Sequence, residues 1–373
     1  MLTTPLEDLK KYVDQPSGSH DPEDVKKVAE MFAGDFASLG FQIQMIPGIE
    51  YGPVLKAAIG TGDKQLMLMG HMDTVFPRNV YVPFTDLGGG KALGSGCIDM
   101  KGGDVVMLYA LQKVLPKLDL SRVRVCAVLN PDEEAGSPES HDVIFDTAKA
   151  SFAALSFEPC GSDYRLTCAR KGVTSVRVAC TGIPGHAGAQ YKICASAIQA
   201  LCAHITALYT LRDDQRDISF NAGLISGGTA ENAVAPEAVA DCEFRYFNEE
   251  YKPELMEKIR AICAVERVPG VKTKVTFGAS HPAIDLNEKS QKLLDLALQI
   301  SREQNVARYH EKTGGAGDIA IAGLAGAGVL DGLGLAGEKM HTVNECVYLD
   351  SLPRQIDFAA EMIVRTVNLS SIL

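Results

Sequence analysis

Three short apolar runs in the sequence end in side chains that can hold a proton or a cation. Gln65–Met69 (QLMLM) leads through Gly70 into His71, Met72 and Asp73. Val123–Leu129 (VRVCAVL) leads into Asp132, Glu133 and Glu134, and Phe152–Phe157 (FAALSF) leads into Glu158. Between the first two, the glycine-rich segment Gly94–Gly103 presents Asp99 from a sharp turn. One His with several carboxylates and no thiolate pair suits Zn²⁺, Mn²⁺ or Co²⁺. Carboxylates crowded into one low-dielectric crevice repel one another, and cations keep them ionised. Glu133 and Glu134 are adjacent and so point in different directions. One can bind metal while the other stays free as the general base of metal-assisted hydrolysis. Asp73 is placed to accept a hydrogen bond from His71 and orient it. Any one of these motifs is a weak signal, but solvated loops do not account for all four in order.

The elements that must position these groups follow from the patterning. Nearly continuous apolar strands separated by helical stretches such as Asp104–Leu115 indicate an α/β layer with a buried, mostly parallel sheet. If the three strands are parallel, their acidic ends emerge together at the carboxyl edge, where open α/β folds place their ligand crevices. After Arg170 the pattern changes. Strands are expected at Val173–Cys180, Ile218–Ile225, Ala238–Phe247 and Val271–Phe277, with helices at Ile193–Leu211 and Glu249–Val265. That β-α-β-β-α-β order is a ferredoxin-like α+β unit. The expected organisation is a catalytic domain in two parts, 1–171 and 281–373, interrupted by an inserted domain at 172–280. A final helix is expected near Pro353–Val367.

The segments GHMDTVFP, GSGCIDMKGG, NPDEEAGS, SFEP, GIPGHAG, KTGGAGD and GLGLAGEKMHTVNE together resemble the di-zinc exopeptidase family of glutamate carboxypeptidase, aminoacylase and succinyl-diaminopimelate desuccinylase. The likeness runs over nearly the whole chain and looks closest to the glutamate carboxypeptidase-like branch. It implies that His71, Asp99, Glu134, Glu158 and His341 bind two zinc ions, with Co or Mn as substitutes. Asp99 would bridge, His71 and Glu158 would complete one site, and Glu134 and His341 the other. The resemblance also implies that Glu133 is the general acid/base and that a cis peptide follows Asp99. It implies that His186 acts on the oxyanion of the other subunit of a homodimer formed through the inserted domain. Asn232, Arg245 and Gly315 fall at substrate-contacting positions, and an Arg suits bidentate carboxylate binding. The expected activity is release of a C-terminal amino acid. N-acyl-amino-acid deacylation and dipeptidase action are the alternatives, and a non-catalytic binding protein is disfavoured by the intact ligand set. Ser95, Ser196 and Ala316-Gly317 depart from the usual family residues, the last pair near the substrate loop.

Composition narrows the partners. The 373 residues are too many for one core, which stops growing at roughly 250–300 residues. Lys and Arg number 36 against 47 Asp and Glu, a net charge of -11, which disfavours nucleic acid and anionic lipid. The uncharged run Ile319–Leu330 has 12 residues, short of the ~20 that span a bilayer. The start, MLTTPLEDLKKYVDQP, shows no signal-peptide pattern, and the ten Cys form no framework. A cytoplasmic setting with reduced thiols is expected, with Cys97 and Cys160 as packing residues open to oxidation. Gly332–Gly337 satisfies GxGxxG, but no helix follows it. Its glycines are expected to bring backbone close to the substrate ahead of His341.

Overall fold

The computed structural model describes residues 2–369. They divide into two compact units, one joining the chain up to Ala169 with Leu286–Thr313 and the chain from Gly317, the other comprising Arg170–Asp285 with Gly314–Ala316.

The first unit is built on a six-stranded sheet. Its strands are β1 (Gln42–Ile46), β2 (Val54–Ile59), β3 (Lys64–His71), β4 (Val123–Asn130), β5 (Ser151–Ser156) and the short strand Gly328–Leu330. In space they run β1-β2-β4-β3-β5 and then Gly328–Leu330. The last four are mutually parallel, while β1 and β2 form an antiparallel edge. Leu66, Met67, Leu68 and Met69 are all buried, because both faces of a parallel sheet are covered and the strand has no solvent side. The cover includes α1 (Pro5–Val13), α2 (Pro22–Ser38) and α3 (Lys101–Val114), with Glu288–Glu303 and Ser351–Asn368 from the C-terminal part. On α2, Val25, Val28, Ala29, Phe32 and Phe36 repeat at helical spacing and are buried in this core.

The helix expected from Asp104 begins three residues earlier, at Lys101. Gly102 and Gly103 lie in its first turn because a side chain does not fit there. A Cβ on Gly103 would fall 1.9 Å from the carbonyl oxygen of Phe157. These glycines therefore let the helix start press against the end of β5.

The second unit has the chain order β6 (Gly172–Thr181), α4 (Ala197–Leu208), β7 (Ser219–Gly227), β8 (Glu237–Tyr246), α5 (Tyr251–Ala264) and β9 (Lys272–His281). Its sheet runs β7-β8-β6-β9 and every pairing is antiparallel. Burial alternates along β6 and β8, since α4 and α5 cover one face and leave the other to solvent. The helix expected from Ile193 starts only at Ala197. Ala195 is engaged in a bridge to Ile183, and the Ser196 side chain caps the helix by accepting the Gln199 N–H at 3.3 Å.

Candidate metal centre

The register of the parallel strands sets the first group of donors. His71 is the last residue of β3 and pairs with Asn130, the last residue of β4. Met69 pairs with Ser156 at the end of β5, so Glu158 emerges at the level of His71. The loop before α3 brings in Asp99, whose peptide bond to Met100 is cis. His71 Nε2 lies 3.2 Å from Asp99 Oδ1 and 3.8 Å from Glu158 Oε1. On the far side of the same carboxylate, His341 Nε2 lies 2.9 Å from Asp99 Oδ2 and 3.4 Å from Glu134 Oε2. Two groups result, His71–Asp99–Glu158 and Asp99–Glu134–His341, each with ligand atoms within 4.8 Å of one another. All five residues implied as ligands are thus in one place, and Asp99 belongs to both groups.

These residues fit divalent cations. Each group offers one imidazole and two carboxylates, a donor set suited to Zn²⁺ and related ions. Glu134 Oε1 is buried without a hydrogen-bond partner among the described residues, an orphan that a cation would satisfy. The crowding of negative charge also calls for positive charge. Asp99 first and then Glu134 raise the pKa of His341 to about 11. His71 is likewise raised: burial opposes its protonation, but Asp73, Asp99 and Glu158 outweigh it. Burial alone would raise Asp99, yet the two imidazoles hold it below the usual carboxylate range.

Glu133 stands in a short helical turn with Glu134. It shares with His71, Glu158, Asn130 and Asp318 the wall of a cavity of about 10 Å³. Burial, then Glu158, pushes its pKa well above the usual range, the direction a general base at neutral pH requires. Asp73 lies outside both groups and holds them. Its carboxylate is 3.3 Å from His71 Nδ1 and accepts the N–H of Glu133 and of Glu134, both at 3.2 Å. Ser19 Oγ donates to it at 2.7 Å.

Sequence reasoning missed several supports. Asp318 accepts Ser137 Oγ at 2.6 Å and Asn130 Nδ2 at 2.7 Å, pinning the turn that carries Glu133 and Glu134. Asp104 is buried against Gly70, where a Cβ would come within 2.0 Å of its Oδ1. Neither of its carboxyl oxygens has a hydrogen-bond partner among the described residues, and burial raises its pKa. Lys101 is fully buried and donates to the Gln15 carbonyl at 2.6 Å, with its pKa lowered by burial to about 7. Glu345 is buried against the Asp99 loop, and burial pushes it up to about 7. The glycines of Gly332–Gly337 meet protein backbone, not an open crevice. A Cβ on Gly334 would be 2.2 Å from the Phe157 carbonyl, and one on Gly337 2.3 Å from that of Cys346.

The second unit holds the remaining candidates. His186 and Asn232 are neighbours, because Gly185–His186 pairs with Ala233–Val234 and the Ala187 N–H donates to the Asn232 carbonyl at 2.9 Å. His186 Nδ1 accepts the N–H of Gly188 at 3.1 Å and of Ala189 at 3.2 Å. Two donors aimed at Nδ1 leave the proton of the neutral ring on Nε2, which can only donate. Arg245 is bidentate to Glu243 at 2.7 and 3.1 Å and donates to the Gly314 carbonyl at 2.8 Å, beside Gly315. The structure does not bring Arg245 to His186 within this unit. Arg245 lies near one end of β8, and His186 lies past the other end, where Glu237 pairs with Thr181. At ~3.3 Å per residue the strand alone separates them by roughly 25 Å.

The chain is similar to known proteins over nearly its whole length. The chain is 30% identical over 368 residues to carboxypeptidase G2 of Pseudomonas sp. (strain RS-16), covering 96% of this chain and 88% of that one. It is 25% identical to a succinyl-diaminopimelate desuccinylase of Gluconacetobacter diazotrophicus, covering 88% of each. A tripeptidase from Staphylococcus aureus has the same fold, with a TM-score of 0.80 at 20% identity over 98% of each chain. The profile of the peptidase family M20/M25/M40 matches residues 67–365, and the chain is a metallopeptidase belonging to that family.

Proposed function

We propose that the chain is a carboxypeptidase that releases a C-terminal amino acid by cleaving a peptide or amide bond next to a free carboxylate. The observation that carries this reading is the pair of donor groups meeting at Asp99, with Glu133 beside them. The 30% identity to a carboxypeptidase supports it. His71, Asp99 and Glu158 would hold one zinc ion, and Asp99, Glu134 and His341 a second, with Co or Mn able to substitute. When bound, such ions polarise a carbonyl and make water acidic enough to attack at neutral pH. Glu133 takes the proton of the attacking water on its carboxylate and returns it to the leaving amine. Asp73 keeps His71 oriented throughout, through Nδ1. Arg245 pairs with the substrate's terminal carboxylate beside Gly315, exchanging part of its bond to Glu243, and Asn232 contacts the substrate together with its neighbour His186. His186 gives its Nε2–H to the developing oxyanion and needs no change of charge to do so.

Two features of the second unit support a homodimer. Arg245 and His186 are too far apart for one copy to apply both to a small substrate, so His186 belongs to the site of a partner copy. In addition, β7 is an edge strand with Leu224 at 69% and Ile225 at 59% exposure, a surface suited to pairing with a second copy. Mixing His186→Ala with Glu133→Gln protein tests this, because a mixed dimer holds one complete site. Activity well above that of either variant alone is expected, and none would remove the in-trans role. The ten cysteines are free thiols, in keeping with the proposed cytoplasmic setting. No helix among the described residues is long and apolar enough to cross a membrane.

Hydrolysis rates on matched dipeptides and N-acyl amino acids, each with a free or amidated carboxyl end, test the substrate class. The expected loss on amidation is at least ~100-fold, the scale of a lost charge-assisted contact of about 3 kcal/mol. Equal rates on both forms would overturn the reading. The desuccinylase relative favours N-acyl-amino-acid cleavage as the second reading, marked by N-acyl substrates outrunning peptides in the same panel.

A further inference from the structure

The turn that presents Asp99 is gripped from a point 246 residues further along the chain. Glu345 is 1% exposed. Its Oε1 accepts the N–H of Ile98 at 2.8 Å and of Asp99 at 3.1 Å, and its Oε2 accepts the N–H of Gly96 at 3.2 Å. Its main-chain carbonyl accepts the Gly94 N–H at 3.2 Å. No Lys or Arg pairs with this carboxylate among the described residues. Its partners are main-chain amides, which converge on it as they do on an anion held in a turn. Such a buried anion costs free energy unless its hydrogen bonds are well made, so its effect has to be sought in what it positions.

Glu345 also belongs to the segment that carries His341. The Glu345 N–H donates to the Thr342 carbonyl at 2.9 Å. Within that segment Lys339 and His341 adopt left-handed backbone with φ of 62° and 61°, a conformation that side chains other than Gly hold only where surrounding contacts enforce it. One residue therefore fastens the Asp99 turn to the His341 segment, whose side chains meet at 2.9 Å.

We propose that Glu345 is a positioning residue of the metal centre: it fixes the Asp99 turn against the His341 segment and so sets the affinity of the Asp99–Glu134–His341 group for a divalent cation. This rests on the assignment of those residues as ligands, but its test can fail separately. The experiment measures Zn²⁺ affinity by competition with a chromophoric chelator, together with amide hydrogen exchange of the metal-free protein, in wild type, Glu345→Gln and Glu345→Ala. Glu345→Gln keeps one acceptor oxygen for Ile98 and Asp99 but turns a donor toward Gly96. It should fold and bind the more weakly held zinc about tenfold less tightly, and Glu345→Ala about 100-fold, the range seen when groups that orient ligands are removed. Exchange at Ile98 and Asp99 should quicken in Glu345→Ala while the amides of β3 stay protected. Wild-type zinc affinity in folded Glu345→Gln, or unchanged exchange at Ile98 and Asp99 in Glu345→Ala, would overturn the proposal. A purely structural role would lower Tm and leave the zinc affinity of the folded protein alone. If wild type itself binds no zinc, the ligand assignment falls and this proposal with it; if wild type binds zinc and Glu345→Gln binds it equally well, only this proposal falls.

Discussion

The two donor groups that meet at Asp99 are built in different ways. His71 and Glu158 stand at the ends of neighbouring parallel strands, and the side chain of His71 is 1% exposed. Glu134 sits in a short turn and His341 in an irregular segment, with the His341 side chain 55% exposed. In the first group ladder hydrogen bonds of the central sheet fix the spacing. In the second the spacing depends on loops held by Asp73, Asp318 and Glu345. Strand-built ligands come with the fold, and loop-built ligands must be held by added contacts. The first group should therefore bind its cation more tightly and release it more slowly.

The substitutions that follow would break or sharpen that contrast. Asp99→Asn strikes both groups and should remove both tightly held ions and all measurable hydrolysis. Metal analysis after desalting checks it, and retention of either ion would show that the groups do not depend on a shared carboxylate. Glu133→Gln leaves both groups intact. Its kcat should drop by roughly 10²–10⁴ while the metal content stays at the wild-type level, and turnover near wild type would remove Glu133 from its role. His71→Ala and His341→Ala compare the groups directly. One of three ligands' share of a site worth ~10–16 kcal/mol predicts on the order of 10²–10⁴ in affinity. Loss of His341 should weaken only the weaker ion. Loss of His71 should destabilise the fold as well, because His71 is buried at the end of β3.

Per unit of pH, the expected effect is the smallest of these. With its pKa raised to about 11 in the metal-free protein, His341 carries a proton that a cation must displace. Affinity at that group should fall about tenfold for each unit of decreasing pH below that value. The sign is opposite for the stability of the metal-free fold. A raised imidazole pKa contributes stability that is complete below the unfolded value of ~6.5 and is lost as pH rises through about 11. Melting curves of the metal-free protein at pH 6 and pH 10 check this. A higher Tm at pH 10 would contradict it.

The strand-built group was the more legible in the sequence. A parallel strand buried on both faces leaves an unbroken apolar run, so the polar residue that ends the run marks the sheet edge. Gln65–Met69 and Phe152–Phe157 gave those edges to within two residues. The supports of the other group were not legible. Nothing local couples Glu345 to residues 96–99, and Asp104 reads as an ordinary helix start until Gly70 is seen to lie against it. The apolar spacing of Ile193–Leu211 predicts one helix, but Ala195 is held in a bridge to Ile183 and the helix starts only at Ala197. The short strands Lys91–Leu93 and Cys346–Tyr348, which pair with each other, left too little pattern to notice. His341 entered only through the family resemblance, since a lone His in a glycine-rich segment marks no element end.

Titration of the metal-free protein with Zn²⁺, following hydrolysis of a dipeptide with a free carboxyl end, tests the central claim most directly. The account predicts two equivalents per chain, the first bound more tightly, and full activity only as the second is filled. Full activity at one equivalent, or hydrolysis that does not respond to metal, would contradict it.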